Sequence, residues 1–183
     1  MDNIGYKPEW IDANTNSYGT DFISLLGKAV TEQNNYAPLP AVYPIEKAAD
    51  NPATEQLVKL FAQYAPGQPL TLQDVQAWSA WLIFAKSAES CGSALTRLCV
   101  YDAGLTFTDW TGGGLTAPVD LATPDAAPNC FDVEQATAAG WVPASFGAND
   151  GAYRCGEVVV KLPAGFPQPA TLGSVGKSMA DVK

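Results

Sequence analysis

The chain has 183 residues, 47% of them hydrophobic and 16% charged, the balance of a folded globular protein of one domain or two small lobes. A formal net charge of −9 argues against nucleic acid and anionic membrane surfaces as partners, because both are bound by clustered Lys and Arg. With no histidine, Ser-His-Asp and Cys-His catalysis and His-bearing zinc sites are excluded, and no apolar run approaches the roughly 20 residues of a membrane span.

In chain order, "YKPEWID" reads as a short strand ending near Asp12, and "ANTNSYG" as a polar loop. "TDFISLLGKAV" has helical spacing, with Thr20 or Asp21 as cap and Phe22, Leu25, Leu26 and Val30 as its apolar stripe. "AVYPIEK" holds a second short extended run, and Pro44 weighs against a central strand. "NPATEQLVKLFAQYAP" predicts a helix with Asn51 as N-cap, Pro52 at the first position, and Leu57, Leu60, Phe61 and Tyr64 inward. "APGQP" then acts as a connector.

"TLQDVQAWSAWLIFAKSAESCG" carries the strongest helix signal, opened by a capping box from Thr71 to Asp74. Val75, Trp78, Trp81, Leu82 and Ala85 recur at helical spacing and predict a mostly buried helix, with Trp81 in the core. "SALTRLCVYDAG" starts as a short helix, and "LTFTDW" alternates like a strand or extended run. The Gly-, Pro- and Thr-rich stretch to Cys130 reads as loop. "WVPASF" and "AYRCGEVVVKL" are the later strand-like runs, and an extended tail over the surface is expected after Leu162. "TGGGL" lacks the Lys and Ser/Thr of a phosphate loop and reads as a turn.

Four cysteines, at 91, 99, 130 and 155, allow three pairings. No CxxC spacing supports a zinc or redox site. Paired, they imply a compartment outside the reducing cytosol; unpaired, they are small buried hydrophobes of a cytosolic protein. "MDNIGYKPEW" has neither the basic start nor the apolar core of a signal peptide.

"NIGYKPEWIDANTNSYGTDF", followed by the run from "LPAVYPIEK" to "DWTGGGL", resembles the C-terminal half of type I periplasmic solute-binding proteins. The similarity is to the branched-chain amino-acid group that feeds ABC importers. The order of parts carries it: a "G-x-x-P" strand, a loop and helix, a proline-bearing run before a helix ending "F-x-x-Y", a helix with "A-x-x-A" spacing, then "T-G-G-G-L". The "CG-x-x-LTR-x-C" segment and the later cysteine pair resemble actinobacterial members. The likeness spans roughly residues 3–160, each motif being weak alone.

The resemblance implies an α/β chain forming part of a two-lobed fold, an open sheet with flanking helices plus a loop-rich, disulfide-stapled section. Residues 1–66 would belong to the second lobe, 67–162 to the return to the first lobe and the stapled section, and 163–183 to the tail. It implies an extracytoplasmic receptor, secreted or lipid-anchored, that captures an amino-acid-like or amide solute without chemistry, cofactor or metal, and docks on an ABC permease. "CGSALTRLC" is then a staple, with Cys91, Cys99, Cys130 and Cys155 all in disulfides. Met1 would be an artificial start or a misplaced start within a longer gene, and the absent half would leave weak or no ligand binding and a surface free to self-associate. A cell-surface sensing or interaction module with the same fold is the alternative. A hydrolase with an acidic pair is a third class, but no spacing singles out two carboxylates.

By the same resemblance, a carboxylate just after a second-lobe strand holds the ligand ammonium, and Asp12 occupies that position. Asn14, Thr15 and Tyr18 share its loop as further hydrogen-bonding groups, although turn formation also explains them. Asp74 and Trp78 lie near the start of the helix that would open at the cleft, where helix capping and core packing are the competing roles.

Overall fold

The computed structural model describes residues 4–123, 128–156 and 171–182. The first expected strand is present as β1, Ile11–Asp12. The next helix breaks in two: α1, Thr20–Leu26, ends at Gly27, whose φ of 53° suits glycine, and α2 spans Ala29–Glu32. Gly19 caps α1 rather than Thr20 or Asp21, and Leu25, expected inward, is exposed.

The second strand lies upstream of its expected place. β2 is Asn35–Pro40, while Ile45–Asp50 forms a 3-10 turn. Proline concealed it, yet β2 is central, parallel to β1 and antiparallel to β3, Cys130–Thr137. The geometry explains the tolerance. The Pro38 carbonyl accepts a hydrogen bond from Thr15 Oγ1 at 2.7 Å on the β1 side, and a residue's N and O share one edge of a strand. β1 pairs only with Asn35 and Tyr36, so the Pro38 nitrogen falls beyond its end and no ladder donor is lost.

The first long helix, α3, is Pro52–Tyr64. Its cap is the expected one: Asn51 accepts from the amides of Ala53 and Thr54, both at 3.1 Å. Leu57 is buried, but Tyr64 is exposed. Asn51 Nδ2 also donates to the Gly114 carbonyl at 2.7 Å, tying α3 to "TGGGL". Gly112, Gly113 and Gly114 have φ of 60°, 77° and 111°, so this segment is a left-handed turn that favours glycine.

The longest helix, α4, is Leu72–Cys91, with the expected capping box between Thr71 and Asp74. Thr71→Ala is expected to cost about 1 kcal/mol, read as a lower melting temperature with unchanged far-UV circular dichroism. The face it buries is only partly the expected one: Val75 is in the core and Leu82 packs against it, while the tryptophans are not buried. Leu72, Val75, Ser79, Ser87 and Cys91 are inward, whereas Ala85 is exposed and Trp81 is 67% exposed. The inward Ser79 accepts from Trp110 Nε1 at 3.0 Å, so the small polar positions seat the helix and the aromatic ones face out.

After the Cys91–Cys99 disulfide, α5 spans Arg97–Gly104. "LTFTDW" is not a strand; only Trp110 bridges, to Val119. β3, which begins where the expected loop ends and which no strand-like run anticipated, is the longest strand among the described residues. Its other edge carries β4, Gly140–Pro143, and β5, Arg154–Cys155, both antiparallel. The remainder of the run expected from Glu157 lies outside the described residues. Of the tail, Gly173–Val175 and Met179–Val182 are 3-10 turns.

The result is a mixed α/β fold with a small open sheet in the order β1-β2-β3-β4. One apolar cluster joins Ala37, Leu39, Ala136 and Trp141 of the sheet to Leu57, Leu72 and Val75 of the helices. Trp141 stacks on Phe22 and donates from Nε1 to the Gly19 carbonyl at 2.9 Å. A second cluster forms around Ala117, Tyr153 and the Cys130–Cys155 disulfide. Among the described residues no helix is long and apolar enough to cross a membrane, and the two disulfides are consistent with an extracellular location.

Candidate functional site

The two faces of the sheet carry different chemistry. Along β2 and β3 alternate residues turn inward, and Tyr36, Pro38 and Val133 are left half-buried on the outer face. They floor an open groove with a volume of about 590 Å³. Trp10 and Phe146 add aromatic surface, and Glu9 and Asp12 supply two carboxylates.

β1 sets this up. Its last residue, Asp12, is in register with Tyr36. The Ile11 amide donates to the Asn34 carbonyl at 2.7 Å, and Asn34 Nδ2 returns a bond to the Glu9 carbonyl at 2.9 Å. The segment bearing Glu9, Trp10 and Asp12 is thereby held along β2. Trp10 is 63% exposed, so its ring remains open to a ligand. Carboxylates beside aromatic faces attract a cation, through charge-assisted hydrogen bonds and the ring quadrupole.

The six ligand-binding candidates do not converge on this groove. Asp12 lines it, while its Oδ1 accepts from the Asn14 amide at 2.8 Å. Asn14, at φ 70°, accepts from the Asn16 amide and caps a 3-10 turn. The Thr15 hydroxyl is engaged with Pro38. Tyr18 is buried on the core side, where its hydroxyl donates to Glu46 and accepts from the Ile45 amide at 2.9 Å. Burial is the main cause that pushes the Tyr18 phenol far up, and the Glu46 carboxylate adds to it. Asp74 is in the capping box, and Trp78 lies partly exposed on α4. The loop and the start of α4 do meet, through Gln73 Nε2 and Asn16 Oδ1 at 3.2 Å. A smaller pocket of about 300 Å³ lies there, lined in part by Tyr18, Phe22 and Thr71.

The inner face holds a feature the sequence did not suggest. Asp132 and Glu134 of β3 point into the core at 1% and 0% exposure. Among the described residues none of their four carboxylate oxygens has a hydrogen-bond partner. Burial pushes Asp132 up to about 9, and the neighbouring Glu134 charge adds to the rise. Burial pushes Glu134 up to about 8, with Glu46 adding and Lys47 opposing. Glu46 is itself raised by desolvation, against the Tyr18 hydrogen bond. Tyr153, whose buried hydroxyl likewise has no partner among the described residues, is raised by burial and by Asp132.

At neutral pH the pair is therefore held in its protonated form. The groove opens on the opposite side of the sheet, so these carboxyls do not reach a ligand there. Among the described residues no group of three or more Asp, Glu or Cys side chains is arranged to hold a metal ion. The signal that could have exposed the pair is the alternation "CFDVEQAT", had that segment been read as a strand.

No protein-family model matches this sequence, no curated protein matches it, and no solved structure matches its fold.

Proposed function

We propose that this chain captures a small amine-bearing solute without chemical conversion, as part of an extracytoplasmic receptor of the type I periplasmic-binding-protein kind. The observation that supports it is the groove where Asp12 and Glu9 stand beside Trp10, Tyr36 and Phe146. An ammonium group meets both its charge partner and aromatic faces there. In a complete receptor a second lobe would close over the ligand and the closed form would engage an ABC permease. The groove is open on one side, so the chain alone binds weakly.

The test is a titration with leucine and valine, with a short amide as the uncharged control that should not saturate, followed by calorimetry and tryptophan fluorescence. Saturation at about millimolar ligand is expected, equivalent to about −4 kcal/mol. Asp12→Asn should weaken the amino acids about tenfold or more, and N-acetylleucine should not bind. Equal binding of leucine and N-acetylleucine, or no change in Asp12→Asn, would remove the groove from the reading. Micromolar saturation would show that this chain holds a complete cleft.

A second reading, a surface interaction module, is favoured by the uncharged aromatic face of α4. A permease gene beside this one supports transport, and a kinase gene supports sensing.

A further inference from the structure

We propose that the outer face of α4 is the contact surface of an antiparallel homodimer. Helix α4 is apolar on both sides. Its inner side, with Leu72 and Val75, joins the core. On its outer side no charged residue occurs between Asp74 and Lys86. A helix that is hydrophobic all round is stable only when all of it is covered.

The outer residues have the spacing of a helix–helix seam. Ala77, Trp81, Phe84 and Ala88 follow one another at intervals of four, three and four, the a/d pattern of paired helices. Ala77, Trp81 and Phe84 are exposed, and Trp81 meets Phe84 edge-on at 5.5 Å between ring centres. The seam is symmetric about its midpoint. An antiparallel copy related by a two-fold axis sets Trp81 against Phe84 of the second copy and Ala77 against Ala88. Like sizes meet along the seam, and the same patch serves both copies, as an isologous contact requires.

The ground beside the seam fits this partner. Phe84, Leu95, Val100 and Tyr101, together with Thr96 and Arg97, line a mainly apolar hollow of about 570 Å³ at the α4–α5 junction, next to where Trp81 of the second copy arrives. The symmetry makes two such insertions. Trp81, Trp78, Phe84, Leu95 and Tyr101 are 67, 37, 47, 55 and 42% exposed. At roughly 150–250 Å² for a large aromatic side chain, this is on the order of 500 Å² per copy. Two copies bury about 1,000 Å², which reaches the lower bound of a specific interface. A contact of that size dissociates on dilution.

The test is sedimentation velocity of the whole chain from about 1 to 200 μM. The expected mass rises with concentration towards twice the 19.3 kDa of one chain. Trp81→Glu and Phe84→Lys are each expected to be monomeric throughout, with unchanged far-UV circular dichroism because both side chains are exposed. Mixed together, they should recover the dimer, since Glu and Lys then face each other across one half of the seam while Phe84 and Trp81 meet in the other. A wild-type monomer at every concentration overturns the proposal without recourse to any variant. So does a dimer that survives both substitutions, or a monomer that instead co-sediments with phosphatidylcholine vesicles, which would make the face lipid-directed. Failure of the mixed variants to reassociate overturns the antiparallel register.

Discussion

The unfolding free energy of this protein is expected to fall as pH rises from about 5 to about 8, the reverse of a protein stabilised by ion-paired carboxylates. The cause is Asp132 and Glu134, buried on the core face of β3 with their oxygens unpartnered among the described residues. Unfolded, each titrates near 4. Folded, burial raises them to about 9 and about 8. The sign follows. Between those limits the unfolded chain releases protons that the folded chain keeps, so rising pH favours unfolding. The contribution is fully present below about pH 4 and is lost progressively up to the folded values, where it levels off.

Each raised group costs about 1.4 kcal/mol per pH unit in that window. Against a whole-domain stability of about 5–15 kcal/mol, even part of this lowers the melting temperature by several degrees. Self-repulsion in a chain of net charge −9 acts in the same direction, so the comparison that isolates the pair uses Asp132→Asn with Glu134→Gln. That variant should melt at nearly the same temperature as the wild type at about pH 3.5, and increasingly above it as pH rises from 5 to 8. A wild-type melting temperature that stays level or rises over this range would show that the two carboxyls are not held neutral.

The second large effect belongs to the Cys130–Cys155 bridge. It joins residues directly opposite each other on β3 and β5 and spans 25 positions of sequence. By loop-closure entropy it contributes about 3.5 kcal/mol, against about 2.6 kcal/mol for Cys91–Cys99, whose separation is 8. Cys130→Ala with Cys155→Ala is therefore expected to destabilise more than Cys91→Ala with Cys99→Ala. The later bridge also pins the edge against which Ala117 and Tyr153 pack, whereas the earlier one ties α5 to the end of α4. Two bridges require an intact mass about four hydrogens below that of the reduced chain. Four thiols that alkylate without reductant would sink both the staple and the oxidising compartment it implies.

The groove at Asp12 was half legible. Its carboxylate could be placed at the end of a strand, because a short run before a polar loop is a local pattern. Trp10, Tyr36 and Phe146 could not be joined to it, since they come together only through pairing between distant segments. Asn14, Thr15 and Tyr18 share the Asp12 loop in sequence. Thr15 and Tyr18 are drawn to Pro38 and Glu46 by contacts across 23 and 28 positions.

What the sequence determined by itself was local. The Asn51 cap, the Thr71–Asp74 box and the presence of a turn at "TGGGL" depend on neighbours within a few residues, although Asn51 then ties that turn to α3 across 63 positions. The tertiary structure decided which faces are inside. In β3 the pairing of Leu39 with Asp132 and of Cys130 with Cys155 sets a register that turns Phe131 and Val133 outward and two acids inward, against the hydrophobic pattern. In α4 the aromatic and aliphatic sides compete for the same core, and the side with Val75 and Ser79 is the one that packs, Val75 in the core cluster and Ser79 bonded to Trp110. A strand has period two and this helix is apolar all round, so neither element by itself distinguishes inside from outside; only the partner it packs against does.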